Sequence, residues 1–583
     1  MRVAASRERD RTTYEWLFAQ SRAQHGRIAA LSLLCTVQAA VLVGFALACR
    51  SVIDRAVAGD VDGLLLAAAA LAGIIVAQLA LRLAINGMLE RIRARLALEL
   101  RKTMLEDVFA ARYSSVVRFH SGELSNRMFS DVQVVSSGVA TIIPSFVSMF
   151  TQLLFAIAVL ALISPPMVAL FAAAALVSFV LARALRGRLK ALHKTVQEKE
   201  GAVRVFLQEA LEHQLVIRSF GAQPAMGALA DALQEDHFDA QMRRRGYSIA
   251  ANASFSFFFN ALYVVALTWC ALELVGGFMS YGTLMAVLQL VGRIQAPVSS
   301  LSGMMPQLYQ TLASAERLME VAGLPRSEGG LGLSAAEFYR RFVGVRMRGL
   351  AFAYGDEGAA PARGGEDACE EAADDKTLSL ICSDAFVPKG SFVVVEGPSG
   401  SGKSTLFKLA LGAYDADGFT YELEEGTSCA ASQVPAGVFA YVPQDNFLFA
   451  GTVRENVAFA TPDSNDDQVR RACEAACAWG FVKELPLGLD TAIGEHGLGL
   501  SQGQLQRLAI ARAVCSGAPI MVLDEVTSAL DGKTEADVLA NIAALPGRTV
   551  FVAAHRAKAR EFATLRLRVE NGVMRATPKT PPA

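Results

Sequence analysis

Nine consecutive residues could hold a polyphosphate: Gly397, Pro398, Ser399, Gly400, Ser401, Gly402, Lys403, Ser404 and Thr405, directly after the apolar run 392–395. Glycines let backbone N–H groups turn inward onto phosphate oxygens, a lysine reaches the outer phosphates, and the Ser404 hydroxyl can ligate Mg²⁺. A nucleoside triphosphate is the expected ligand. The plainer reading, a glycine-rich turn between strand and helix, is outweighed by the apolar runs on both sides. About 120 residues further on, the apolar run 520–523 ends in Asp524 and Glu525. A carboxylate at a buried strand tip suits Mg²⁺, and a second one beside it can orient or deprotonate an attacking water. Alone such a pair is common. Downstream of a phosphate loop it is a second mark of the same chemistry.

These residues need a scaffold, and 583 residues are too many for one core. The chain is 53% hydrophobic and only 19% charged, and the apolar excess lies in the first half. A membrane-crossing helix needs about 20 mostly apolar residues. Six stretches meet that need, near 28–49, 64–85, 139–163, 167–185, 249–275 and 284–304, the last being the most polar. The links after the second and fourth carry Arg91, Arg93, Arg95, Arg101, Lys102 and Arg183, Arg186, Arg188, Lys190, Lys194. The positive-inside bias places those links, and both termini, in the cytoplasm. A net charge of −1 gives no global field for nucleic acid.

The long links read as helices continuing about 30 to 40 Å beyond the bilayer as stalks, the first pair turning near Gly122 and the second between 200 and 220. Residues 1–27 form a cytoplasmic lead-in or elbow helix, with no cleavable signal. The six-helix domain spans 28–321, a linker 322–338, and a second domain 339–576 with an acidic loop at 355–376, read as disordered. Residues 577–583 are a disordered tail. Nine cysteines, without a CxxC pair, read as reduced thiols.

Leu500-Ser501-Gln502-Gly503-Gln504, some 20 residues before Asp524, resembles the signature of ATP-binding cassette (ABC) proteins. Other marks of that family follow in order. Tyr354 sits where the adenine-stacking aromatic is expected, Gln444 resembles the Q-loop glutamine, Asp531 the D-loop aspartate and His555 the switch histidine. Residues 122–124, Arg127 and Asp131 resemble the family's first intracellular loop, and 491–497 its exporter-type segment before the signature. Six spans before one cassette resemble a half-transporter of the exporter fold. The implied architecture is an all-α polytopic membrane domain with six transmembrane helices and long cytoplasmic extensions, followed by an α/β P-loop NTPase cassette domain.

The resemblance implies roles. Lys403 and the loop amides hold the phosphates of ATP, and Ser404, Gln444 and Asp524 surround Mg²⁺. Glu525 is the base or water-orienting carboxylate, His555 bonds the γ-phosphate, and Tyr354 stacks on adenine. Ser501, Gln502, Gly503 and Gln504 contact the ATP of a second cassette, so the chain is half of a dimer in the cell membrane. Gln502 stands where glycine is usual and Leu505 where a basic residue is usual, a pattern favouring a heterodimer over a homodimer. The expected function is an ATP-driven exporter of a small amphipathic, lipid-like or peptide cargo, working by alternating access. Import by the same fold, with a siderophore-like cargo, and a regulatory or ATP-gated subunit are the alternatives. Asn252, Asn260, Gln289 and Arg293 are candidates for the cargo path, because polar groups inside spans face cavities; lipid-facing or interhelical packing is the competing reading for the fifth span.

Overall fold

The computed structural model describes residues 2–327, 330–354, 380–445, 447–494, 499–554 and 558–578. The chain divides into two compact units, Met1–Glu106 with Ser121–Gly323, and Asp107–His120 with Leu324–Ala583. The acidic loop 355–376 lies outside the described residues.

The first unit is helical. An N-terminal helix α1 (Arg2–Gln20) precedes α2 (His25–Val57), α3 (Val61–Ala110), α4 (Ser121–Ile163), α5 (Pro165–Glu212), α6 (Gln223–Val275) and α7 (Tyr281–Ala322). Among the described residues α2, α3, α4 and α6 are long and apolar enough to cross a membrane, and α5 and α7 contribute shorter apolar stretches, Pro165–Ala174 and Tyr281–Ile294. Only 6% of the most apolar window of α3 is buried within the protein, and Leu65, Leu66 and Leu79 are exposed. Such a surface is stable only against lipid or another apolar partner.

Close helix crossings depend on missing side chains. A Cβ on Gly138 of α4 would stand 2.0 Å from the Thr311 hydroxyl of α7, and one on Gly282 would stand 2.3 Å from the Arg50 carbonyl oxygen of α2. The α4–α7 seam is also polar. Asp131, 2% exposed, accepts from Ser314 at 2.9 Å and from Arg317 Nε at 2.8 Å. Buried Arg127 donates to Glu123 at 2.7 Å and to the Arg317 carbonyl at 2.6 Å, and pairs with Glu320 at 2.9 Å. This cluster sits on a π-helical turn, Arg127–Asp131, a local widening of the helix that re-aims side chains.

The first stalk turn falls at 111–120, ahead of the expected Gly122, which is the second residue of α4. The long-range reason is that Ala111 bridges Arg326, Arg112 N–H bonds the Pro325 carbonyl at 2.8 Å, and Ser327 N–H bonds the Ala110 carbonyl at 2.8 Å. The second turn lies between α5 and α6, around a short helix Gln214–Ser219.

The second unit carries a ten-stranded sheet. Its strands are β1 (Phe342–Phe352), β2 (Leu380–Pro388), β3 (Phe392–Glu396), β4 (Phe419–Leu423), β5 (Ser428–Ala430), β6 (Phe439–Val442), β9 (Ile520–Asp524), β10 (Thr549–Ala553), β11 (Leu565–Glu570) and β12 (Val573–Pro578). Two short strands, β7 (Gly451–Thr452) and β8 (Ala492–Ile493), pair apart from it. The order is β5-β4-β1-β2-β12-β11-β3-β10-β9-β6. The strands from β11 to β6 are parallel, and β3, β9 and β10 are continuous apolar runs because both faces are covered. Alternate residues show it: Phe392 and Val394 enter one core with Leu508 and Leu523, while Val393 and Val395 enter the other with Phe407 and Tyr421. β12 runs through Pro578, so Thr577 and Pro578, expected in a disordered tail, pair with Arg566 and Leu565.

Candidate functional site

Parallel registry aligns the carboxyl ends of the central strands. Ala553 of β10 lies opposite both Val395 of β3 and Asp524 of β9, and Val442 of β6 lies opposite Leu523. Loops leaving that edge converge, the usual place for a ligand in an α/β sheet.

The loop after β3 carries residues 397–405. Gly400 and Gly402 adopt φ of +77° and +110°, which side chains with Cβ rarely adopt. A Cβ on Gly397 would stand 2.2 Å from the Val569 carbonyl oxygen, so this position has room for glycine alone. Gly402 caps α8 (Lys403–Ala410) without a side-chain bond, leaving the first turn of amides to face an anion. Lys403, only 5% exposed, donates to the Gly397 and Pro398 carbonyls at 2.8 and 3.1 Å, which holds its ammonium over the loop. The Ser401 hydroxyl is buried with no hydrogen-bond partner among the described residues.

Glu525, Gln444 and Lys403 meet. Gln444 Nε2 donates to Glu525 Oε2 at 3.1 Å, and Lys403 Nζ lies 3.6 Å from Glu525 Oε1. Glu525 has φ of +52°, a strained setting for a residue with a side chain. Asp524 is buried at the tip of β9, and burial pushes its carboxyl above the ordinary carboxylate range against the pull of a hydrogen bond to Ser404. The glycine cradle, the unpartnered Ser401 hydroxyl and the oxygen donors of Ser404 and Asp524 fit a nucleotide with a hard divalent cation.

Tyr354 stands beside this loop, half exposed. Its hydroxyl lies 3.1 Å from Thr405 Oγ1, and Lys408 Nζ lies 5.7 Å from its ring centre. Tyr414 meets the ring edge-on at 5.3 Å. Tyr414 was not singled out in the sequence, and a tyrosine following the phosphate-loop helix is its only signal.

Ser501 caps the helix α9 (Gln502–Cys515), accepting from Gln504 N–H, while the Gln504 side chain accepts from Ser501 N–H at 2.8 Å. Gly503 packs on the loop after β9, where its Cβ would lie 3.1 Å from the Ala529 carbonyl oxygen. Buried Gln506 was also missed by sequence reading. It donates to Ser528 at 3.2 Å and accepts from Ala529 N–H at 3.2 Å, fixing the signature helix to the Asp531 loop. Arg512 of the same helix donates to the Phe447 carbonyl at 2.8 Å, tying it to the loop that carries Gln444. Asp531 caps α10 (Gly532–Ala543) and accepts from Lys533 and Thr534 N–H, and its bonds to Thr534 hold its pKa down to about 2.

His555 lies outside the described residues. Asn252 and Asn260 are exposed on α6, Gln289 and Arg293 half-buried on α7.

Fold and site together define a P-loop ATPase fused to a helical membrane domain. The family described as ABC transporter transmembrane region matches residues 28–298, and that described as ABC transporter matches 384–528. An ATP-dependent lipid A-core flippase of Desulfotalea psychrophila is 29% identical over 488 residues, covering 80% of this chain and 78% of that one. A flippase of the same name from Thiobacillus denitrificans is 28% identical over 493 residues, covering 82% and 80%. The solved structure of a bacterial Atm1-family ABC exporter with ATP bound superposes with a TM-score of 0.76 at 21% identity over 95% of each chain. The chain belongs to the ABC transporters, as a half-transporter of the exporter fold. It is an ATP-driven transporter that couples hydrolysis to transport, and the flippase and exporter names of these relatives do not favour the import or regulatory alternatives.

Proposed function

We propose that the nucleotide is held by Lys403 and the amides of the 397–405 loop, with adenine stacked on Tyr354. Ser404, Asp524 and Gln444 would hold a Mg²⁺ bound with the nucleotide through their oxygens, and that ion would neutralise phosphate charge. Glu525 orients or deprotonates the attacking water, and Gln444, hydrogen-bonded to it, positions that carboxylate. The meeting of Gln444, Lys403 and Glu525 carries this reading. Ser501, Gln502, Gly503 and Gln504 complete the site of a second cassette, so that ATP binding closes a dimer and hydrolysis reopens it.

Gln502 in place of glycine supports a heterodimer, in which this chain contributes an intact Glu525 and a modified signature. The cargo is an amphipathic, lipid-like molecule, a reading supported by the flippase names of the relatives. The arginine-rich links support placement in the cell membrane with both termini cytoplasmic.

The test is ATP hydrolysis by the chain purified alone in nanodiscs, with Glu525→Gln as control. Silence from a folded chain that still binds ATP is expected of a heterodimer half. Turnover abolished by Glu525→Gln rejects the heterodimer and keeps the site assignment. Turnover that survives the substitution rejects the site assignment.

A further inference from the structure

The groove between α2 and α3 takes no part in ATP chemistry, and its lining is graded. A cavity of about 800 Å³ is lined by Arg27 and Leu34 of α2 and by Leu83, Met88, Arg91 and Arg95 of α3. At 1.5 Å per residue, Arg27 and Leu34 lie about 10 Å apart along their helix, and Leu83 and Arg95 about 18 Å. The apolar end lies against the apolar stretch 64–85, and the basic end lies just past it.

Topological bias alone asks only for basic residues in the link, not for three guanidiniums around one space. Of the other cations of α3, Arg93 is engaged with Glu90 at 3.1 Å, Arg101 with the Met128 carbonyl at 3.2 Å and Lys102 with Glu106 at 3.8 Å, while Arg82 does not line this cavity. Arg91 and Arg95 have no hydrogen bond or ion pair among the described residues. Arg27 donates to the neutral Gln24 Oε1 at 2.7 Å, and Gln24 passes its own amide to Glu99 at 2.9 Å. No carboxylate lines the cavity. Arg27 also stands in the first turn of α2, which has no acidic residue to balance the positive helix end.

Guanidinium forks match phosphate oxygens in shape and charge, and the leucines and methionine above them suit an acyl chain. We propose that this groove binds a phospholipid whose headgroup is net anionic, its phosphate among Arg27, Arg91 and Arg95 and the start of its chain against Leu34, Leu83 and Met88. Basic pockets between helices at the membrane boundary suit such headgroups. The site does not depend on which cargo is transported.

The full chain, solubilised and stripped of lipid, is titrated with phosphatidylglycerol or phosphatidylcholine of identical chains, and bound lipid is counted by native mass spectrometry. Phosphatidylglycerol should bind at least tenfold tighter. The double change Arg91→Gln/Arg95→Gln should erase that preference, Arg91→Lys/Arg95→Lys should keep most of it, and ATP binding should be unchanged in both, showing that they fold. Equal affinity for the two lipids in the unmodified chain, as when a helix of a second copy fills the groove, overturns the proposal. So does a preference that survives the glutamine pair. Displacement of the lipid by millimolar inorganic phosphate also overturns it, because the site would then take free phosphate.

Discussion

Gln444 donates a hydrogen bond to Glu525 across 3.1 Å, while Lys403 approaches the other oxygen of the same carboxylate at 3.6 Å. Two loops and the phosphate-loop helix thus fix one acidic group that the backbone holds at φ of +52°. A positioned carboxylate of this kind contributes about 10²- to 10⁴-fold to a proton-transfer step. In the assembled dimer, Glu525→Gln should therefore lower ATP turnover by that order while leaving nucleotide affinity nearly unchanged, as read by a phosphate-release assay beside fluorescent-nucleotide binding. Loss of both together would mean that the residue shapes the pocket and does not serve the chemistry.

Tyr354 is held by Thr405, Lys408 and Tyr414, and the residue is 47% exposed. Stacking a base on an aromatic ring is worth about 1–3 kcal/mol. Tyr354→Ala should raise KM for ATP roughly 5- to 150-fold with a smaller change in kcat. Tyr354→Phe keeps the ring and should cost much less. A phenylalanine variant as weak as the alanine one would shift the weight from stacking to the hydroxyl bond with Thr405.

Much of the site was legible because it is local. The phosphate loop, the apolar strands on either side and the Asp524-Glu525 pair each lie within a few residues, and strands buried on both faces leave continuous apolar runs. What was illegible depends on residues far away in the chain. Nothing near Gly397 announces that Val569 occupies the space its Cβ would need. Gln506 reads as one more polar residue on a helix until its bonds to Ser528 and Ala529 are seen. The first stalk turn was placed at Gly122 on a glycine alone, whereas pairing of 110–112 with 325–327 sets it. Residues 411–438 carry β4 and β5 and place Tyr414 against Tyr354.

The α4–α7 seam makes a stability prediction. Asp131 has a side chain 3% exposed and depends on Arg317, whose own side chain is 46% exposed. Removing the partner of a buried charge costs about 3–5 kcal/mol, and the half-exposed arginine brings that to about 2–3 kcal/mol here because water reaches the site. Arg317→Gln should lower the melting temperature of the detergent-solubilised protein. The double change Asp131→Asn/Arg317→Gln should recover much of the loss, since no lone charge stays buried. Equal melting temperatures for the original protein and Arg317→Gln would show that the pair is incidental.

Asp531 supplies a pH dependence whose sign is fixed by its role. As the cap of α10 it accepts hydrogen bonds from Lys533 and Thr534 only while ionised at full strength, and these bonds lower its pKa from an ordinary 3.8 to about 2. A depressed carboxylate stabilises the folded state above its unfolded pKa, and that contribution fades as pH falls from 3.8 to about 2. Buried Asp524 works the other way. Its raised pKa means that the folded state binds a proton more readily than the unfolded chain, so its cost to stability is relieved as pH falls below its folded value toward 3.8. Replacing Asp531 by Asn keeps a good capping side chain and removes the titration. Acid unfolding followed by tryptophan fluorescence should therefore be shallower below pH 3.8 in Asp531→Asn than in the unmodified chain, with little difference near neutrality. A variant equally destabilised at pH 7 and pH 3 would show that the cap matters for its shape and not for its charge.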